Sequence, residues 1–237
     1  MVGTKINVNS RENYVKILFL NRGNEAFVRP AILAKTLTVT TSAITEMLKR
    51  LLEEGYIEYS KYQGAKLTEK GETLGRLMVR RHRIWEMYLY KVLGFPWDKV
   101  HQEAERLEHA SSDDLINRLE EVLGYPEFDP HGDPIPSKEG VIPKVEACQP
   151  LSTLAKSEVA RVVRVSDFDD QFLNYISGLG IRLGQYIVVK DIHQFDESLM
   201  VIIDGTLIHL SQTAAQHILV HREKTEIKDM YDEKKSS

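Results

Sequence analysis

The chain has 237 residues, 42% apolar and 28% charged, the make-up of a soluble globular protein; its one cysteine, Cys148, excludes an internal disulfide framework and a Cys-based zinc finger. No apolar run approaches the roughly 20 residues that span a bilayer, and MVGTKINVNSREN lacks the apolar core of a signal peptide, so a cytoplasmic protein without membrane attachment is expected. The net charge of −4 hides an alternation: residues 1–83 hold 15 Lys/Arg against 8 Asp/Glu, residues 84–140 hold 5 against 13, and residues 141–237 hold 11 against 14.

A basic first third can approach a polyphosphate, and an acidic middle can gather cations. In chain order, SRENYVKILFLNR spaces Tyr14, Ile17, Leu18 and Leu20 as a helix, with Ser10 as N-cap and Gly23 as its stop. VRPAILAKTL follows, with Pro30 in the first turn of a second short helix. TVTT reads as a turn. TSAITEMLKRLLEEG gives a third helix, in which Ile44, Met47, Leu48, Leu51 and Leu52 keep helical spacing up to Gly55. Residues 56–62 alternate as a strand, Gln63 and Gly64 turn, and AKLTEKG begins the return strand. Two short helices, a tight turn, a third helix and a hairpin describe a winged helix-turn-helix. TEKG then opens a long helix to about Val92.

Residues 97–109 and 111–123 give two more helical patterns, the second capped by Ser111 or Ser112. Residues 124–150 hold most of the prolines and read as a loop or linker. EVARVVRV, QYIVVKDI, LMVIID, TLIHL and HILVHR are short β-rich runs, with one helix near 169–178; they suggest a small SH3-like barrel.

One stretch poses a chemical question. In KVHQEAERLEH, His101, Glu105, Glu108 and His109 fall on one face of a helix that should otherwise be apolar. His82 and Glu86 form another i, i+4 pair, and Asp129 and His131 sit in the loop as DPHGDPIP. Eight oxygen and imidazole donors without a thiolate suit Mn(II) or Fe(II) rather than Zn(II) or Cu(I). The alternative is a solvated helix face with local His–Glu pairs. HExxH, paired Glu-x-x-His motifs, a nucleophile elbow, a P-loop and a dinucleotide fingerprint are all missing, so no enzyme chemistry is supported.

The array RHRIWE, KVHQEAERLEH and PHGDPIP after a winged helix-turn-helix resembles the diphtheria toxin repressor and manganese transport regulator family, over about residues 10–222. The resemblance implies a homodimeric, metal-dependent repressor that binds palindromic double-stranded operator DNA when Mn(II) or Fe(II) is plentiful and controls metal-uptake genes. It implies an α+β, mainly α fold: a winged helix-turn-helix over 1–73, a helical dimerisation and metal-binding domain over 74–140, a linker over 141–150, an SH3-like (FeoA-like) domain over 151–222 and a charged tail over 223–237. Carried onto this chain, one metal site falls on Glu105, Glu108 and His109, with Asn13 at the position of a first-helix donor. The position of Glu105 is Cys in iron-responsive members, which favours Mn(II) here. Lys16 stands where short manganese sensors have a further acidic ligand, which argues against their closely spaced pair of ions. A second site falls on Glu86, Asp129, His131 and a barrel carboxylate, first Asp167, then Asp169 or Asp170. His82 and His101 match ligands of the iron-sensing members, as ligands or as partners of ligands.

The recognition helix is expected over 41–53. Thr40, Thr41, Ser42, Thr45, Glu46 and Lys49 would meet DNA there, unless Thr40 or Ser42 only caps it, and Lys61 and Lys66 of the wing would meet phosphates. Ile84, Trp85, Tyr88, Leu89, Leu115 and Leu119 serve either the dimer or the core. Neither a membrane nor a small organic substrate is expected as a partner. The competing readings are a metal-independent winged-helix regulator and a carboxylate-bridged metalloenzyme.

Overall fold

The computed structural model describes residues 11–22, 27–37, 39–166 and 170–223. Ser10, Gly23, Asp167 and Asp169, all named above, lie outside these residues. The chain divides into two compact units, one of residues 1–92, 102–127 and 135–143 and the other of residues 93–101, 128–134 and 144–237.

The first unit begins with α1 (Arg11–Asn21), β1 (Phe27–Val28), α2 (Pro30–Leu37) and α3 (Thr41–Glu53). Pro30 opens α2, where its missing N–H costs no hydrogen bond. Thr40 caps α3, its side chain accepting from the Ala43 N–H. The apolar stripe Ile44, Met47, Leu48 and Leu51 packs with Tyr14, Val15, Leu18 and Leu33 into one core. β2 (Ile57–Ser60) and β3 (Gly64–Leu67) form the wing hairpin. The wing has a third strand, since β1 pairs with β3 in the order β1-β3-β2. Two apolar residues are too few to show the alternation of a strand, and β1 is visible only through its pairing. Gly64 is required at this turn: its φ is +107°, and a Cβ there would strike the Val28 carbonyl oxygen.

Thr68 caps α4 (Glu69–Lys91) and also donates its hydroxyl to the Gly55 carbonyl at 2.8 Å, tying the helix start to the end of α3. α1 lies against α4, and Gly75 makes that approach possible, because a Cβ there would come within 2.7 Å of Phe19 Cβ. α5 (Val100–Leu107) joins the first unit from Gln102 onward. The helix expected through His109 stops at Leu107, and Glu108–Ala110 form a 3-10 turn. Its cause is local: the Ser111 hydroxyl donates to the Leu107 carbonyl at 2.8 Å, and Ser111 is extended. Trp85 Nε1–H donates to Ser111 Oγ at 2.7 Å and fixes this turn to α4. α6 (Asp113–Leu123) is capped by Ser112 and ends on Gly124 in the left-handed region. Ile84 of α4 packs with Ile116, Leu119 and Ile135, so Ile84 and Leu119 serve the core of their own chain, whereas Leu115 is exposed. Arg80 of α4 donates to both Glu120 oxygens, at 2.6 and 2.9 Å, and to Asn117 Oδ1 at 2.8 Å.

The second unit is a six-stranded antiparallel sheet in the order β4-β9-β5-β6-β7-β8. Its strands are β4 (Gln149–Pro150), β5 (Val159–Val165), β6 (Tyr186–Ile192), β7 (Leu199–Ile203), β8 (Thr206–Leu210) and β9 (Ile218–Arg222), with α7 (Asp170–Gly178) after β5 and α8 (Gln212–Gln216) before β9. The five long strands match the five β-rich runs. β4 lies inside the stretch expected to be loop, because two residues paired to β9 carry no pattern of their own. The core is aliphatic, with Val162, Leu173, Ile187, Val201, Leu210 and Val220 at its centre. Among the described residues, no helix is long and apolar enough to cross a membrane.

Candidate metal centre and nucleic-acid face

Side chains from three places meet in the first unit. α1 supplies Glu12 and Lys16, α4 supplies His82 and Glu86, and the end of α5 with the 3-10 turn supplies Glu105, Glu108 and His109. Lys16 Nζ donates to Glu105 Oε1 and, at 2.6 Å, to Glu108 Oε1. His82 faces two carboxylates, with Nδ1 2.6 Å from Glu108 Oε2 and Nε2 2.9 Å from Glu86 Oε1. His109 Nδ1 lies 2.6 Å from Glu12 Oε2. Its Nε2 is buried and 3.3 Å from Glu108 Oε1, without the geometry of a hydrogen bond. Glu12 therefore accepts a hydrogen bond from Nδ1–H and leaves Nε2 turned toward Glu108, the orientation in which a carboxylate prepares an imidazole for a metal.

Burial alone would strip the proton from His82, and Lys16 also opposes its charge. Glu86 and Glu108 outweigh both and raise the imidazole to about 10. Burial works against the Lys16 ammonium too, yet Glu108 and Glu105 hold it above the ordinary lysine value. Burial pushes Glu108 up, but His82 and Lys16 together bring it below the usual carboxylate range. The cluster is thus a buried network of two cations and three carboxylates.

His82, Glu105 and Glu108 each offer one ligand atom, and these atoms lie within 4.8 Å of one another. Two carboxylates and an imidazole are a hard donor set that fits a divalent ion of the Mn(II) or Fe(II) kind. The proton between His82 and Glu108 is what such an ion would replace. Asn13, named as the first-helix donor, is buried on α1. Its neighbour Glu12 is the α1 carboxylate that reaches His109, and sequence reasoning passed it over. Glu12 and His109 are 97 residues apart, so no local spacing announces the pair.

Glu86 belongs to the first unit, whereas His101, Asp129 and His131 belong to the second. His101 is half-buried at the start of α5. Asp129 Oδ1 accepts from the backbone N–H groups of His131 and Asp133, at 2.8 and 2.9 Å, which rolls the loop into a tight turn. The Val165 N–H donates to the His131 carbonyl at 2.9 Å and holds the turn on β5. The His131 ring stacks on Trp97, and its Nε2–H donates to the Trp97 carbonyl at 3.2 Å. That fixes the tautomer, so the buried Nδ1, which has no hydrogen-bond partner, presents a lone pair. Asp170 opens α7.

α3 turns Thr41, Ser42, Thr45, Glu46 and Lys49 to solvent, opposite its apolar stripe. Thr40 is exposed as well, but its hydroxyl caps the helix and lies 2.9 Å from Ser42 Oγ. Thr45 Oγ1 donates to the Thr41 carbonyl at 2.9 Å. Arg50 extends this face and was not singled out from the sequence. Lys61 is exposed in the wing turn. Lys66 is half-buried, its ammonium 5.9 Å from the centre of the Phe27 ring.

Comparison with known proteins gives three family matches that follow one another along the chain. Residues 8–65 match the iron dependent repressor N-terminal DNA binding domain, 68–137 the iron dependent repressor metal binding and dimerisation domain, and 149–222 the FeoA domain. The HTH-type transcriptional regulator MntR of Lysinibacillus sphaericus is 32% identical over 121 residues, 51% of this chain and 86% of that protein. The iron-dependent repressor IdeR of Mycobacterium tuberculosis is 33% identical over 129 residues, 54% of this chain and 56% of that protein. Among solved structures, a manganese-dependent transcriptional repressor in complex with manganese superposes with a TM-score of 0.82 at 35% identity, covering 90% of this chain and all (100%) of that one. The manganese regulator SloR superposes with a TM-score of 0.73 at 30% identity, over 90% of this chain and 99% of that one.

Proposed function

The chain belongs to the iron-dependent repressor family of metal-dependent transcriptional regulators, and we propose that it represses metal-homeostasis genes as a homodimer on palindromic operators when loaded with Mn(II). It is a regulator and not an enzyme, as its family is. The observation that carries this reading is the buried cluster that joins α1 of the DNA-binding region to α4 and the 3-10 turn. His82, Glu105, Glu108 and His109 would hold the ion, with Glu86 and Glu12 orienting the imidazoles. In the second unit, Asp129 and His131 are further candidate donors. A bound divalent ion supplies positive charge that fixes these donors in one arrangement.

This chain's own residues do the rest. Lys16 and Glu12 project from α1, so whatever fixes Glu105, Glu108 and His109 also fixes α1, and with it the core that carries α3. Two recognition helices must stand about 34 Å apart, or a multiple of it, to read a palindrome. Order in the cluster biases the chain toward that spacing. Exposed Leu115 and Val122 on α6, with Tyr90 and Val92 at the end of α4, are among the apolar positions of the described residues open to a second copy. The absence of a thiolate favours Mn(II), with Fe(II) second. The site of action would be the cytoplasm, where DNA and reduced metal are found.

The test is a mobility shift on the gene's own promoter region, titrating Mn(II), Fe(II) and Zn(II) separately against chelator. Mn(II) is expected to tighten binding, and Glu105→Ala and Glu108→Ala to abolish the response. Equal affinity with Mn(II) and with chelator would refute the reading.

A further inference from the structure

In the second unit, His193 follows β6, Ser198 precedes β7 and His209 lies on β8. β7 stands between the other two strands, so roughly 9.5 Å, twice the strand spacing, separates the two histidine backbones. The rings nevertheless meet, with centres 5.5 Å apart and planes at 61°. The residue between them is a serine, small enough to let them approach. The His193 N–H donates to the Ser198 carbonyl at 2.9 Å and seats the two residues opposite each other. Ser198 is buried, 2% exposed, and a hydroxyl has one proton to give. That proton goes to Asp196 Oδ1 at 2.7 Å, and the Ser198 N–H donates to the same oxygen at 3.1 Å. These bonds hold the Asp196 carboxyl below the usual carboxylate range, and the nearby His193 ring adds to the effect, so an anion stands beside the pair. Ser198 Oγ, 3.1 Å from His209 Nε2, therefore accepts from that ring. Nε2 carries the proton and Nδ1 keeps its lone pair. Both histidines are exposed, and among the described residues neither His209 Nδ1 nor the His193 ring has a hydrogen-bond partner.

We propose that His193 and His209 chelate one borderline divalent ion, of the Zn(II) or Cu(II) kind, and that Ser198 and Asp196 form the hydroxyl relay that leaves His209 Nδ1 as its ligand atom. An imidazole nitrogen lies about 2.0–2.1 Å from zinc, and two rings on one tetrahedral ion have centres roughly 5–5.5 Å apart. The pair already stands at that separation. Imidazole suits zinc and copper, whereas carboxylate and water suit Mn(II). Two nitrogen donors on an open surface leave the other coordination positions to water. A metal-bound imidazole commonly gives its second N–H to an oxygen that is itself held in place, and Ser198, anchored by Asp196, does this for His209. None of these residues belongs to the donor sets proposed above for Mn(II), so this site stands or falls independently of that reading.

The full-length chain, isotope-labelled at histidine, is titrated with Zn(II) alone and followed by nuclear magnetic resonance of the ring nitrogens. His193→Gln and His209→Gln, both at exposed positions, assign the two rings. The rings are expected to respond together in one step, with His209 binding through Nδ1 while Nε2 keeps its proton. Each single variant should weaken Zn(II) binding at the remaining ring about a hundredfold, because the second donor no longer acts from within the same molecule. Ser198→Ala should weaken it about tenfold and, before any metal is added, let the His209 proton spread over both nitrogens. Rings that respond in separate steps, a His209 ring that binds Zn(II) equally well after His193→Gln, or a pair that stays silent at millimolar Zn(II) overturns the inference. A Ser198→Ala chain with the natural affinity and the natural tautomer overturns the relay.

Discussion

His82 and Glu108 share a hydrogen bond of 2.6 Å between Nδ1 and Oε2, with both side chains buried. Twenty-six residues of chain separate them, and they connect the middle of α4 to the 3-10 turn. Glu108 also receives the Lys16 ammonium, so one carboxylate serves two cations from two other helices.

Removing that carboxylate strands both cations. In chelator, Glu108→Ala is expected to lower stability by roughly 3–5 kcal/mol, the usual cost of breaking a buried pair from one side. Urea unfolding measures it. A loss of less than about 1 kcal/mol, the range of surface pairs, would mean that water reaches the cluster freely.

Stability without metal should depend on pH in one direction. Folding raises His82 from 6.5 to about 10, so the folded chain holds that proton more tightly than the unfolded one. Its contribution is complete below about 6.5 and is lost as the pH climbs through about 10. Urea midpoints in chelator should fall across that window, and His82→Asn should flatten the fall.

The same proton reports on metal loading. Near neutral pH His82 is charged, and an imidazole must be neutral to coordinate, so Mn(II) binding at the cluster should release about one proton. Titration calorimetry in buffers of different ionisation enthalpy counts it. Glu108→Ala should abolish the release together with the binding.

Close packing of α1 on α4 can be tested apart from charge. Gly75→Ala puts a methyl group 2.7 Å from Phe19 Cβ, an atom fixed to the α1 backbone. Overpacking of this kind costs about 1–3 kcal/mol, more than the gain of about 1 kcal/mol from replacing a helical glycine. The variant should unfold at lower urea and respond less steeply to Mn(II), because α1 is pushed off its seat.

On the nucleic-acid face, Lys49→Ala should weaken binding to all sequences alike and reduce the salt dependence by about one phosphate contact. Thr45→Ala should instead change preference among operator variants. If both behaved as the lysine variant does, α3 would be gripping the backbone only.

Much of this was legible in the sequence because the signals are local. The apolar spacing from Ile44 to Leu51, the caps Thr40 and Ser112 and the proline of α2 each act within a turn or two, and the helices follow them. The five β-rich runs likewise carry their own alternation. β1 and β4, two residues each, hold together only through partners, and no window of sequence contains those partners. Spacing alone puts His101, Glu105, Glu108 and His109 on the face of one helix. Ser111 ends that helix at Leu107, and a serine hydroxyl bonding four residues back leaves no periodic trace. Within the cluster, the donors were visible as residue types. Lys16 was visible as a departure from the family pattern, but its seat between Glu105 and Glu108 was not. Glu12 was invisible for want of any nearby partner.

α4 runs 23 residues without a proline, from the Thr68 cap beside the wing, through His82 and Glu86, to Lys91. At 1.5 Å per residue that is a strut about 34 Å long, with no joint at which a displacement could be absorbed. The hairpin at one end and two of the buried donor groups therefore move as one lever. A tilt of about 5° about its midpoint would swing either end by about 1.5 Å, enough to bring a lysine onto a phosphate or lift it off.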